Sequence, residues 1–175
     1  MTLVLHRFDD AERFPLLDTL TTARGPWTVR LRRVEGETEL CVTGRRTGGD
    51  PPGACVCLGL PIRAVAGHLR RLGLEARGDG SGCGLYVEAS DARGCGFRYG
   101  FGTVSFADVR TCWAEADDPI DYWEGSPPPS APQVTPPVQF LRLTIVPAHG
   151  TDHTVVALRQ FLVTGDVRLA SPGIA

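Results

Sequence analysis

The 175-residue chain contains no lysine and no asparagine, so all 18 of its basic residues are arginine. A GC-rich genome produces such a composition, because the codons for both missing residues are AT-rich. Nor is there a surplus of either charge. The formal net charge is −2 and the arginines lie scattered between carboxylates, which excludes the strong positive field of a general DNA or anionic-membrane binder. No apolar run approaches the roughly 18 residues that a membrane helix needs. The N-terminal "MTLVLHRFDDAERF" lacks the basic flank and long apolar stretch of a secretory signal, so the expected location is intracellular, in a reducing compartment. There the six cysteines are expected as reduced, mostly buried thiols. Zinc-type spacing is missing: Cys83, Cys95 and Cys112 are far apart with no histidine at ligand spacing, and Cys55 and Cys57 are read as pointing to opposite faces of a strand. Neither a metal nor a cofactor is expected.

What is present is enough apolar sequence, 42% hydrophobic against 22% charged, for one domain with a real core. Leu3 and Leu5 alternate as in a strand, and Asp9 or Asp10 can cap a helix through Phe14, Leu16, Leu17 and Leu20. Gly25 and Pro26 would stop it. A hairpin follows: with Glu35 and Gly36 at the turn, Leu31 lies opposite Leu40, Val29 opposite Val42 and Arg32 opposite Glu39. The order then repeats. A strand "ACVCLGL" leads into "PIRAVAGHLRRLGLEA", where Ile62, Val65, Leu69 and Leu72 recur at helical spacing and Gly73 suits a C-cap. "GDGSGCG", residues 78 to 84, follows a helix and a short strand, is followed by "LYVEAS" where a helix N-terminus is needed, and misses the G-x-G-x-x-G spacing, so it reads as a hairpin tip and not as a phosphate loop.

The predicted fold class is therefore α+β: a mainly antiparallel sheet with two helices from a strand-helix-strand-strand pseudo-repeat, units about 3–46 and 54–107. "ADVRTCWAEADD" is read as a short helix. The main domain runs over 1–124, a proline-rich connector over 125–137, and a C-terminal strand segment over 138–175 packs back on the domain. In that segment Leu141, Leu143 and Ile145 share a face, and the stretch 152–164 is open between strand and helix, its β-branched start favouring a strand.

Chemistry is sparsely signalled. His149 and His153 flank a turn with Asp152 between them, but no third ligand sits near in sequence, and Glu115, Asp117, Asp118 and Asp121 do not match a calcium loop. "YGFGTVSF", Tyr99 to Phe106, resembles the central strand signature of RNA-recognition-motif domains at Gly100, Phe101, Gly102, Val104 and Phe106, with "VCLGLP" as the first strand. That resemblance implies single-stranded RNA stacked on the sheet, with Arg98, Tyr99 and Phe101 as the nucleic-acid-binding residues. The paired strand-helix-strand-strand units also resemble half-domains of DNA sliding clamps and the glyoxalase and bleomycin-resistance family. The C-terminal strands resemble those of discoidin-like sandwiches. With no catalytic constellation, the preferred reading is a non-catalytic intracellular protein-interaction module, a subunit or adaptor of a larger assembly. Trp113, Tyr122 and Trp123 would be its partner-binding residues, and single-stranded RNA the alternative ligand.

Overall fold

The computed structural model describes residues 1–123, 133–148 and 153–170 and contains eleven antiparallel strands. These are β1 (Thr2–Arg7), β2 (Trp27–Val34), β3 (Glu37–Gly44), β4 (Val56–Gly59), β5 (Ala64–Gly78), β6 (Cys83–Ser90), β7 (Gly96–Val104), β8 (Val109–Glu115), β9 (Asp121–Trp123), β10 (Val138–Val146) and β11 (Thr154–Leu169). The expected α+β class is overturned: the fold is a jelly-roll-like β-sandwich, and the described residues hold no α-helix, only a 3-10 turn at Ala11–Arg13. Accordingly no helix among them could cross a membrane.

One layer runs β2-β3-β11-β5-β8, with β1 also on β11; the other runs β4-β10-β6-β7-β9. The long strands β5 and β11 pair along most of their length, and Ala64 and Val65 of β5 reach across to Gln139 and Val138 of β10. Inward-facing side chains of both layers form one core. Phe161 of β11 lies edge-on to Phe140 of β10, with ring centroids 4.9 Å apart, and to Phe101 of β7 at 6.3 Å. Those are the tilted aromatic contacts that ring quadrupoles favour, made between fully or nearly buried rings.

Both expected helices fail for local reasons. In the first, Asp10 caps only a single 3-10 turn, accepting from the Glu12 N–H at 3.1 Å. Pro15 then pushes Phe14 out of helical geometry, and the chain runs along β4 instead, the Leu17 N–H donating to the Cys57 carbonyl at 2.8 Å. The second helix is strand β5. Gly165 of β11 pairs with Leu69 and Thr164 pairs with Arg71, so Arg70 is an extra residue. The bulge makes the step from Leu69 to Leu72 three, and with the step of four from Val65 to Leu69, two ordinary strand repeats through Gly67, it mimics a helical stripe before Leu72, Leu74 and Ala76 resume strict alternation. Glycine is required beside it. Gly67 has φ +96°, and a Cβ there would stand 2.1 Å from the Asp166 carbonyl oxygen; a Cβ on Gly165 would stand 2.1 Å from that of His68.

The hairpin has the expected register, with Arg32 opposite Glu39, and turns at Glu35 and Gly36, both with positive φ. "GDGSGCG" is not a hairpin tip, because β5 and β6 belong to different layers and the segment arches between them. The segment expected as a short helix holds strand β8, "VRTCWAE", and 154–169 is strand β11. A bulge between Phe140 and Arg142 turns Leu141 out to solvent, so the core residues of β10 are Val138, Phe140, Leu143 and Ile145. Of the proline-rich segment, residues 133–137 are described; the Thr135 N–H donates to buried Asp91 at 3.1 Å and Gln133 accepts from Arg93. His149 and Asp152 lie outside the described residues.

Two predictions follow from this core. Phe161→Ala removes the ring shared by both layers and should cost about 3–5 kcal/mol in urea unfolding. His6 is buried against Phe161 and Phe14, and neither ring nitrogen has a hydrogen-bond partner. Burial, helped by the charges of Arg63 and Arg13, lowers its pKa to about 4. The unfolded chain then binds a proton that the folded one refuses, so this contribution is complete above pH about 6.5 and is lost as pH falls towards 4. Urea unfolding should weaken over that window in the parent protein and less steeply in His6→Leu.

Candidate functional site

Strand alternation sends one set of side chains from the β4-β10-β6-β7-β9 layer into the core and leaves the other set on its outer face. Val56, Leu58, Leu85, Val87, Ala89, Phe97, Tyr99, Phe101, Leu143 and Ile145 belong to the core. Outward go Cys57 of β4, Arg142 and Thr144 of β10, Tyr86 and Glu88 of β6, Arg98 of β7 and Asp121 of β9. Register lines these up. Arg142 pairs with Glu88, Glu88 with Arg98, and Arg98 with Asp121, giving one charged rung that crosses four strands, about 14 Å at ordinary strand spacing.

The rung is held from its buried end. Glu88 is only 2% exposed and takes Arg98 Nη2 at 3.0 Å on one oxygen and Arg142 Nη2 on the other, while Arg98 also faces Asp121 at 3.8 Å. Side-chain exposure then rises outward, from 27% at Arg142 and 37% at Arg98 to 59% at Asp121. A buried carboxylate thus fixes two guanidinium forks whose outer parts meet solvent.

Beside the charged rung lies a flatter one, Cys57, Thr144, Tyr86 and Gly100. The half-buried Tyr86 ring reclines over Gly84: a Cβ there would stand 3.0 Å from the ring and 3.1 Å from the hydroxyl oxygen. Exposed Ile120 continues the apolar strip past Gly100. At the far edge the thiols of Cys55 and Cys57 lie 4.0 Å apart, so they share a side, as residues two apart in a strand do, and do not face opposite ways. Hydrogen bonding from Cys57, opposed by burial and aided by Thr22, brings Cys55 down to about 6; the same contact and burial push Cys57 up.

The opposite layer presents a different outer face. Fully buried Glu39 accepts from Arg32 at 2.9 Å, Arg77 at 3.2 Å and Arg159 at 2.8 Å. Burial raises its pKa, but those three guanidiniums outweigh it and hold the carboxyl below its usual range. This carboxylate is saturated by its own chain, which makes it a brace for the sheet. Trp113 lies on this layer, its ring across Gly73 with the Arg71 guanidinium 4.7 Å from the ring centroid.

The sequence-predicted site residues are therefore dispersed. Trp113 is on one layer, and the Tyr122 and Trp123 backbones are on the other, opposite Phe97 and Gly96. Of Arg98, Tyr99 and Phe101 only Arg98 faces outward. Tyr99 is 1% exposed, its hydroxyl donating to the Ala116 carbonyl, and Phe101 packs on Phe161, so no base could stack on either. Glu88, Arg142, Tyr86 and Thr144 went unread in the sequence. Their signal was the alternation within "CGLYVEAS" and "VQFLRLTIV", whose outward positions are polar or aromatic.

No family model matches the chain, and no curated protein matches it. Solved structures do. A family 11 carbohydrate-binding module of the cellulosomal cellulase Lic26A-Cel5E of Clostridium thermocellum aligns at TM-score 0.61 and 8% identity, covering 94% of this chain and 95% of that one. The family 11 carbohydrate-binding module from Clostridium thermocellum in complex with a β-1,3-1,4-mixed-linked tetrasaccharide aligns at 0.63 and 9%, with the same coverage. A crystal structure of an agarase aligns at 0.52 and 11%, this chain spanning 24% of it. At such identities the likeness is one of fold: this chain has a jelly-roll-like β-sandwich similar to that of those modules.

That finding overturns the expected protein-interaction module and its protein partner, and with them the RNA-recognition, sliding-clamp and glyoxalase readings, all of which need helices against a sheet. The single-stranded RNA ligand falls too, since its platform is core. The expectation of an intracellular, reducing location is also withdrawn, because the solved proteins sharing the fold include a module of a cellulosomal cellulase.

Glu88 is the keystone of the charged rung. Glu88→Gln would leave two guanidiniums side by side without the buried carboxylate they share, and, discounted for their partial exposure, should lower stability by about 1–3 kcal/mol. A double-mutant cycle in urea with Arg98→Gln should show the two losses to be less than additive.

Proposed function

We propose that this protein is a carbohydrate-binding module that lays a saccharide across β10, β6, β7 and β9 on the outer face of their layer. The observation that carries the reading is the juxtaposition of the Tyr86 ring, seated over Gly84, with the Arg142, Glu88, Arg98 and Asp121 rung. A sugar ring has an apolar C–H face and an equatorial belt of hydroxyls. Tyr86, with Ile120 beyond it, offers the first a flat apolar seat, while Arg98, Arg142 and Asp121 offer the second charged hydrogen-bond donors and acceptors. Glu88 supplies preorganisation by fixing both guanidiniums before the ligand arrives, which lowers the ordering cost of binding. With two arginines against two carboxylates the rung is balanced, which suits a neutral glycan better than a polyanion. The shared fold of carbohydrate-binding modules, one of them solved with a mixed-linked tetrasaccharide, supports the same reading.

The test is affinity electrophoresis and calorimetry against a panel of soluble polysaccharides, starting with β-1,3-1,4-mixed-linked glucan, then xylan, galactan and agarose. Retention by at least one neutral glycan is expected, weakened about tenfold or more by Tyr86→Ala or Arg98→Ala and unchanged by Trp113→Ala on the other layer. No retention by any of them, or retention indifferent to Tyr86 and Arg98, would overturn the proposal.

A further inference from the structure

At the β4 edge of the same layer, three donors converge that neither the core nor the saccharide reading uses. Cys55 and Cys57 place their sulfurs 4.0 Å apart, and the carbonyl oxygen of Leu20 stands 3.5 Å from the Cys57 sulfur and 3.9 Å from the Cys55 sulfur. The three atoms form a nearly equilateral triangle. A circle through its corners, with sides of 4.0, 3.9 and 3.5 Å, has a radius of about 2.2 Å, close to the roughly 2.0–2.3 Å at which oxygen and thiolate sulfur bind a d10 metal ion. The local chain explains the convergence. Two residues apart, both cysteines project to one side, and the 16–22 segment is bound along β4 by Leu17, Thr22 and Ala23 N–H groups, which brings the Leu20 carbonyl over them.

We infer that Cys55, Cys57 and the Leu20 carbonyl form a trigonal site for a soft monovalent cation of the copper(I) class. Binding is an exchange without redox change: Cu⁺ displaces both thiol protons and leaves a two-thiolate complex carrying one negative charge. The surroundings match that charge. Arg142 stands on the same outer face, two positions along β10 from Thr144, the residue paired with Cys57, and a guanidinium on that face favours an anionic centre while opposing a divalent ion. Two sulfurs select a soft ion over calcium or magnesium, and three donors in a near-regular triangle depart from the four-coordinate tetrahedron of structural zinc. The hydroxyls of Thr22 and Thr144, each 3.6 Å from one sulfur, supply the surrounding hydrogen bonds that hold the ligands in place. Cys55 is half-buried, which leaves an entry path. Among the described residues no three histidine, cysteine or acidic side chains gather into a metal cluster, so this pair with its backbone oxygen stands apart from the usual metal centres.

The experiment titrates the reduced full chain anaerobically with copper(I) against a chromogenic copper(I) chelator, and separately with zinc(II). One copper(I) per chain is expected to be retained against the chelator, with retention falling at least a hundredfold in Cys55→Ser and in Cys57→Ser and unchanged in Cys95→Ser, each variant checked for fold by circular dichroism. X-ray absorption of the loaded parent protein gives a readout that no variant's folding can disturb, and two sulfurs plus one lighter donor are expected. Copper retained by the cysteine variants, a three-sulfur shell, a preference for zinc(II), or no copper retained would each overturn the inference. Polysaccharide retention measured on the same metal-free sample keeps a failure here separate from a failure of the saccharide reading.

Discussion

Burial of Phe161 between the two layers is the contact on which the rest of the fold leans. Its ring meets Phe140 and Phe101 from the opposite layer and stacks on His6 from its own, so three strands beyond β11 take their depth from it. Aromatic rings of this size bring most of the apolar area that a sandwich of short strands can bury, and their edge-on geometry adds orientation to area. Once that interior is set, alternation leaves no choice about what faces out. The inward run Phe97, Tyr99, Phe101 obliges Arg98 and Gly100 to take the outer face of the layer, and the inward run Leu85, Val87, Ala89 does the same for Tyr86 and Glu88.

The charged rung is thus a by-product of core packing that the chain has completed with chemistry. A carboxylate 2% exposed would be expensive to desolvate alone, yet Glu88 is flanked on both neighbouring strands by an arginine at the paired position. Glu39 on the other layer shows the same device with three arginines. In a chain without lysine, every such partner is a planar fork able to bridge a carboxylate and still reach outward. The difference between the two faces is what accompanies the carboxylate. Glu88 has a tyrosine seated over glycine and an open rung beside it, whereas Glu39 is enclosed by its own strands.

Legibility in the sequence followed the range of the interaction. The hairpin of β2 and β3 was readable to the residue, because turn and register both sit within eighteen positions and Arg32 names its partner Glu39. Residues 152–164 were open between strand and helix, their β-branched start favouring a strand, and from Thr154 onward they are strand β11. The helix expected over 61–74 failed at one extra residue: Arg70, bulged opposite Thr164 and Gly165, changes the step from Leu69 to Leu72 from two to three, and beside the step of four from Val65 to Leu69 this imitates a helical stripe. Nothing within those residues discloses the bulge, since its cause is a strand ninety positions away. Tyr99 and Phe101 were misplaced for a related reason. Their alternation was visible, but alternation alone does not say which of its two faces is buried.

By itself the sequence determined the local terms: an antiparallel hairpin with its ion pair, strands wherever β-branched and aromatic residues alternate, turns at glycine and proline, and a charge balance without the strong positive field of a general DNA or anionic-membrane binder. Tertiary structure alone decided that the layers stack face to face, that Phe101 lies inside and Arg98 outside, and that Arg142, Glu88, Arg98 and Asp121 fall in one row. The physical reason is register. Those four residues span more than fifty positions and sit on four strands, and only the hydrogen-bonded pairing of β10, β6, β7 and β9, selected by burial of the opposite faces, brings them within reach of one ligand.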